Sequence, residues 1–364
     1  MTRSVTRRSA LIGALAAASL SLTLSLPAEA KDPVKAAWIY VGPVGDHGWS
    51  YQHDQGRLAV ETAFGDAVKT TFVESVKEGA DAERVIQQLA AAGNDIIFTT
   101  SFGFMNPTLK VAKRNPKVKF EHATGYKRGD NVATYAARFY EGRYPVGKLA
   151  GKMTKSNIVG YIASFPIPEV VRGINATALG LRSVNPKAEI RVIWVNSWYD
   201  PGKEREAAET LIAQGADVIL QHTDSPAPIQ AAEEKGVWAV GQASDMTRFG
   251  PKAHLTAIVD DWKPYYISRV KAVMDGTWES IDTWGGMNAG MTYLSDLNPA
   301  IPDDVKAMVT EVADAITAGK LHPFTGPIRD QSGKEVLAAG KVMDDGALLG
   351  MDWYVEGVVG KLPK

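Results

Sequence analysis

From Lys35 onward the chain alternates short runs rich in β-branched and aromatic residues with amphipathic segments of helical length. Strand candidates occupy 36–41, 70–74, 95–100, 118–122, 157–163, 189–195, 217–221, 237–241 and 254–259, with helical patterns between them. Such alternation restricts the fold to parallel sheets covered by helices on both faces, the α/β class. Helix starts are marked by Gly79-Ala80-Asp81 before 82–92 and by Asp200-Pro201 before 202–214, where proline suits the first turn.

Part of this pattern is used twice. At an offset of 122 residues Leu89 matches Leu211, Ala91 matches Ala213, Gly93 matches Gly215, Asp95 matches Asp217 and Ile97 matches Ile219. Helix-to-strand turns can converge on Gly-x-Asp-aliphatic, or the chain can hold two similar lobes. The apolar phase favours two lobes, because Val85, Ile86, Leu89 and Ala90 fall opposite Ala207, Ala208, Leu211 and Ile212. A length of 364 residues also exceeds one domain of about 150. The first lobe is expected over 31–153, completed by about 262–300, and the second over 154–261, completed by about 301–364.

Residues 1–30 have the order of a cleaved export signal: Arg3, Arg7 and Arg8, an apolar stretch over 11–26, then Pro27-Ala28-Glu29-Ala30. The apolar stretch is shorter than the roughly 18–20 residues that span a bilayer. Thr6-Arg7-Arg8-Ser9 also resembles a twin-arginine signal, so both export routes stay open. The chain contains no cysteine, which excludes disulfides, thiolate metal sites and an acylated cysteine at the cleavage site. The mature protein is therefore expected to be soluble, periplasmic and free of a lipid anchor. Formal net charge is −1 and becomes more acidic once the three leader arginines and Glu29 are removed, so neither nucleic acid nor anionic membrane is an expected partner.

In open parallel sheets ligands bind beyond the carboxyl ends of the strands. Two facing lobes bring all those ends to one cleft, and the residues just after each strand become the candidates. They are Asp46, Trp49 and Ser50; Phe102 and Phe104; Trp198 and Tyr199; Thr223 and Asp224; Asp245, after Gln242; and Asp260. Asn175, in the helix after the first strand of the second lobe, is a further candidate. Aromatic side chains recur beside short hydrogen-bonding ones, which suits a planar heterocycle with two apolar faces and a polar rim. Trp49 from one lobe and Trp198 from the other would sandwich it. His47, His53 and His222 have no compact metal-ligand spacing, and neither Gly-x-Ser-x-Gly nor a phosphate-binding glycine loop is present. A non-enzymatic receptor with no metal or cofactor is the expectation.

Asp46-His47-Gly48-Trp49-Ser50, Trp198-Tyr199-Asp200-Pro201-Gly202-Lys203, Gln214-Gly215-Ala216-Asp217-Val218-Ile219, Phe324-Thr325-Gly326-Pro327-Ile328 and Met351-Asp352-Trp353 occur in one order along the chain. In this the chain resembles the basic membrane protein family of solute receptors for ABC importers, which includes purine nucleoside receptors. The resemblance implies a type I periplasmic binding fold, with two αβα lobes joined by a hinge and closing over a ligand, and a membrane permease as partner. It also places an aromatic clamp at Trp49 and Trp198. Where family members often read Val-Asp-Ser-Asp-Gln, this chain has Gln242-Ala243-Ser244-Asp245-Met246, and Asp260 or Asp261 stands where they often carry a lysine. Those positions are associated with the sugar of a nucleoside. A carboxylate favours a ligand edge that donates hydrogen bonds, so a free purine base such as adenine or hypoxanthine is favoured. The alternatives are a purine nucleoside, then a sugar-type solute, then an exported nucleoside hydrolase; a monomer is expected.

Overall fold

The computed structural model describes residues 1–2 and 32–363; the expected leader lies outside them but for Met1 and Thr2. The chain begins with β1 (Val34–Ile39), α1 (Trp49–Phe64), β2 (Val68–Val73), α2 (Ala80–Ala91), β3 (Ile96–Thr99), α3 (Met105–Ala112), β4 (Lys119–Ala123) and β5 (Val132–Ala137). After α4 (Tyr140–Met153) come β6 (Ile158–Ala163), α5 (Pro168–Val184), β7 (Glu189–Trp194), α6 (Pro201–Ala213), β8 (Val218–His222), α7 (Ala227–Lys235), β9 (Trp238–Ala243) and β10 (His254–Asp260). The remainder supplies α8 (Lys263–Asp275), β11 (Asp282–Gly285), β12 (Thr292–Leu294), α9 (Asp303–Thr317), the β13 (Ile328–Arg329) and β14 (Glu335–Leu337) hairpin, α10 (Asp345–Leu349) and β15 (Val358–Val359).

These strands form two large sheets. One has the order β11-β5-β4-β3-β1-β2, with every pair parallel. The other runs β12-β10-β9-β8-β6-β7-β15 and is parallel except for β12 against β10. The two-lobed α/β architecture follows, with each sheet reversing its strand order at one place: between β1 and β3, and between β6 and β8. Loops leaving strands on either side of such a reversal diverge and open a crevice.

Each sheet is buried on both faces. In the first lobe Trp38 stacks on Phe98 at 4.6 Å under α1 and α8, while Val85, Ile86 and Leu89 of α2 cover the opposite face with Ile39 and Ile97. In the second lobe Tyr161, Ile174 and Leu220 lie in one core layer and Ile162, Leu211 and Ile219 in the other. The repeated turn has a repeated role. Asp95 accepts from the Lys35 amide at 2.8 Å, tying β3 to the start of β1, and Asp217 accepts from the Lys155 and Ser156 amides at 2.7 and 2.9 Å, tying β8 to the start of β6.

Chain segments divide between the lobes differently from the expected ranges. Helix α4, expected with the first lobe, packs along α5 in the second core through Val146, Leu149 and Ala150. Gly147 and Gly180 permit this approach: a Cβ on either would overlap a backbone carbonyl of the other helix. The segment expected at about 262–300 splits, because β11 joins the first sheet beside β5 and β12 joins the second beside β10. Both are short strands whose partners lie far away in sequence, so local pattern does not reveal which sheet they complete.

Candidate functional site

The loops at the two strand-order reversals meet around one chamber. Val41 and Trp49 line it from the β1 loop, Ser101 and Phe102 from the β3 loop, and Thr124 from the end of β4. The second lobe contributes Glu169 after β6, Trp198 after β7, His222 and Asp224 after β8, and Gln242 in β9. Trp49 is fixed by its indole N–H, which donates to the Thr100 carbonyl at 2.6 Å, and by edge contacts with His53 and Trp262. Trp198 lies beside Phe165, and its own carbonyl accepts from the Asp224 amide at 3.0 Å, so the β7 and β8 loops are joined.

Around this aromatic chamber are several buried carboxylates. Asp46 caps α1, accepting from the amides of Gly48, Ser50 and Tyr51 at 2.8–3.0 Å. Burial pushes its carboxyl up to about 6 against the pull of those amides. Asp224 has one oxygen, and Asp260 both, buried without a hydrogen-bond partner. Burial raises the Asp224 carboxyl well above its ordinary value, with further repulsion from Asp46, Glu204 and Asp260. Burial does the same at Asp260, reinforced by Glu169 and opposed by Arg143. An unpartnered buried acceptor is unfavourable by about 1–3 kcal/mol, so such a cluster is suited to a ligand that donates hydrogen bonds. His222 Nε2 lies 3.5 Å from Glu169 Oε1, and burial lowers the imidazole pKa, which keeps the ring neutral near pH 7.

Of the residues expected from sequence, Trp49, Phe102, Trp198 and Asp224 line this chamber. Tyr199 lines an adjoining opening with Phe165 and Ser197. Ser50 is buried and accepts from the Gly42 amide at 3.2 Å, while Thr223 and Asp260 are fully buried and do not line the chamber. Three expectations are corrected. Phe104 turns into the core of the first lobe and is 0% exposed. Asn175 holds the C-terminal segment, donating to the Trp353 carbonyl at 2.8 Å and accepting from the Val355 amide at 3.1 Å. Asp245 is exposed and closes its own turn by accepting from the Thr247 amide and hydroxyl.

Thr124, Ser101 and Gln242, each at or just beyond the carboxyl end of a strand, and Glu169, in the first turn of α5 after the β6 loop, are not among the expected site residues. Applying the same post-strand rule to the loop after β6 would have found Glu169. His222, the last residue of β8, lines the chamber as well. Among the described residues, no helix is long and apolar enough to cross a membrane.

A two-lobed α/β protein with aromatic and polar loops converging from both lobes is a solute receptor by class. Residues 33–319 match the family described as ABC transporter substrate-binding protein, PnrA-like, and the chain belongs to that family. It is 58% identical to a purine-binding protein of Brucella abortus over 93% of this chain and 96% of that one. It is 41% identical to a putative ABC transporter glucose-binding protein of Haloferax volcanii, over 91% of this chain and 82% of that one. Among solved structures, a solute-binding protein of an ABC transporter from Conexibacter woesei superposes with TM-score 0.62 at 25% identity, covering 79% of this chain and 98% of that one. One from Aeropyrum pernix shares the fold with TM-score 0.69 at 20% identity, covering 82% and 93%. The chain is thus a binding component of an ABC transporter rather than an enzyme, with a small-molecule ligand and a membrane permease as its partners.

Proposed function

We propose that the protein is a periplasmic receptor of an ABC importer that binds a purine in the interlobe chamber, and takes a free base such as adenine or hypoxanthine in preference to a nucleoside. It is exported by a cleaved leader, carries no lipid anchor and works as a monomer that closes over its ligand. Contacts from both lobes are available to the ligand only when they meet, so binding favours the closed arrangement.

The observation that carries this reading is the buried Asp224 carboxyl, one oxygen of which has no partner, in a chamber walled by Trp49, Phe102 and Trp198. Purine rings offer two stacking faces and N–H donors at the rim. The Brucella relative's name agrees with a purine. A nucleoside is the second reading, favoured by a wider cleft that continues outward past Phe102, Thr124 and Glu169.

Calorimetric titration with adenine, hypoxanthine, guanine and adenosine tests the choice. Tightest binding by a free base is expected. Adenosine binding much more tightly than every free base would replace the first reading with the second.

A further inference from the structure

Gln242 enters the chamber from β9 and is 2% exposed. Its amide Oε1 accepts from Nη2 of Arg143. The two ends of a glutamine amide are nearly interchangeable in shape, so a neighbour's chemistry must decide which way it turns. Arginine has donors and no acceptor. The atom facing Arg143 must therefore be the oxygen, and the two Nε2 hydrogens are directed elsewhere.

Arg143 cannot readily swing away. It is 0% exposed, donates from Nη1 to the Gln221 carbonyl at 2.9 Å, and its guanidinium lies 5.4 Å from the centre of the Tyr161 ring. Gln221, on neighbouring β8, shows the contrasting case: its Nε2 donates to the carbonyls of Thr223 and Ser225, both at 2.9 Å, and is fully used by the fold. Among the described residues no hydrogen bond takes the Nε2 hydrogens of Gln242. The other ionisable side chains lining the chamber are the carboxyls of Glu169 and Asp224 and the neutral ring of His222.

Resting on the purine reading, we propose that Gln242 is a specificity-determining donor, held in one amide orientation by Arg143, that reads an acceptor atom on the purine rim. The site then selects a rim on which an acceptor, either a ring nitrogen or a carbonyl oxygen, accompanies N–H donors directed at the carboxyls. Arg143 acts through Gln242 as a positioning residue.

The test uses Gln242→Glu, which leaves an oxygen for Arg143 and removes both donor hydrogens. The probes are adenine, hypoxanthine, 1-, 3- and 7-deazaadenine, 3- and 7-deazahypoxanthine, and unsubstituted purine, which lacks the carbonyl oxygen. Gln242→Glu is expected to weaken binding of the preferred base about 5- to 150-fold, as losing a buried partner does. One analogue should bind the wild type correspondingly less well than its parent, while Gln242→Glu distinguishes that pair by less than about twofold. Equal parent-to-analogue ratios in both proteins for every analogue, or full affinity in Gln242→Glu, would overturn the proposal. If none of the bases binds the wild type, the purine reading fails and this inference falls with it.

Arg143→Lys keeps a donor opposite Oε1 and should retain the coupling, whereas Arg143→Leu frees the amide to turn and should lose it. Undiminished coupling in Arg143→Leu removes the positioning role. The Gln242 cycle decides the main point even where that variant does not fold.

Discussion

Substituting Gly48 by alanine should separate ligand affinity from the integrity of the lobes. Gly48 precedes α1 in the first lobe and presses on the backbone of Asp224 in the second. A methyl group built there overlaps the Asp224 carbonyl oxygen and lies 2.9 Å from its Cα, where nothing but a shift of backbone can relieve it. Other contacts hold the same junction. The His47 carbonyl accepts from Ser244, Arg248 donates to His47 Nδ1 at 2.5 Å, and Gln52 donates to the Asp260 carbonyl at 2.5 Å.

Overpacking of this kind costs about 1–3 kcal/mol, and here it falls on the arrangement in which the loops touch. The expected result is a dissociation constant raised about 5- to 150-fold, with a larger radius of gyration by small-angle scattering in the presence of ligand. Gly45→Ala is the control, since nothing lies within 4 Å of its added methyl. Gly48→Ala binding within twofold of wild type, with an unchanged scattering profile, would refute the argument that the two loops must meet for tight binding.

The two sides of the clamp should respond differently. Trp198→Ala should weaken purine binding by about 1–3 kcal/mol and cost less stability than the same change at Trp49, because its ring packs on the second core but its indole N–H has no partner to lose. Trp49→Ala should weaken binding similarly and also lower stability, since Trp49 packs on His53 and Trp262 and donates to Thr100. Calorimetry and urea titration read the two effects, and equal stability loss in both variants would contradict the distinction. Asp260→Asn should leave the thermal midpoint of the ligand-free protein at pH 7 little changed, because burial holds that carboxyl well above its ordinary value and an amide has nearly the shape of the neutral acid; a large fall in the midpoint would count against it.

Burial holds His122 neutral in the fold down to about 3, whereas an unfolded histidine binds a proton near 6.5. The unfolded state therefore carries the extra proton as pH falls below 6.5, and the stability His122 contributes above that pH is progressively lost. Relative to His122→Gln, the wild type should lose about 1.4 kcal/mol per pH unit between pH 6 and 4. Urea titrations giving parallel pH profiles would exclude this.

The alternation of strands and helices is legible in the sequence because short continuous apolar runs, as strands buried on both faces require, alternate with longer segments whose apolar period is about 3.6. The post-strand rule reached Trp49, Phe102, Trp198 and Asp224 for the same reason: in parallel sheets chain direction decides which end of the sheet a loop occupies. It could not decide where a side chain turns once it leaves the strand. Phe104 lies only two residues beyond Phe102, but a short turn of helix carries it into the core. Asp245 satisfies its own turn through Thr247, a local hydrogen-bond choice that outweighs its position near the cleft. Asn175 serves Trp353 and Val355, whose proximity depends on the path of the C-terminal segment and has no local signature. The strand β5 escaped notice because Val132–Ala137 reads as a mixed alanine-rich run, and its neighbours Phe120 and Trp284 lie on segments that meet it only in the folded sheets.

The proposed binding mode sets a purine ring between Trp49 and Trp198 with its donor edge toward Asp224. A crystal structure of the protein grown with adenine tests it most directly. The account predicts a ring stacked in the chamber shared by the two lobes, with ligand nitrogens within hydrogen-bond distance of the Asp224 carboxyl. A ring lying in the outer cleft beyond Glu169, or one in the chamber that touches neither tryptophan, would contradict it.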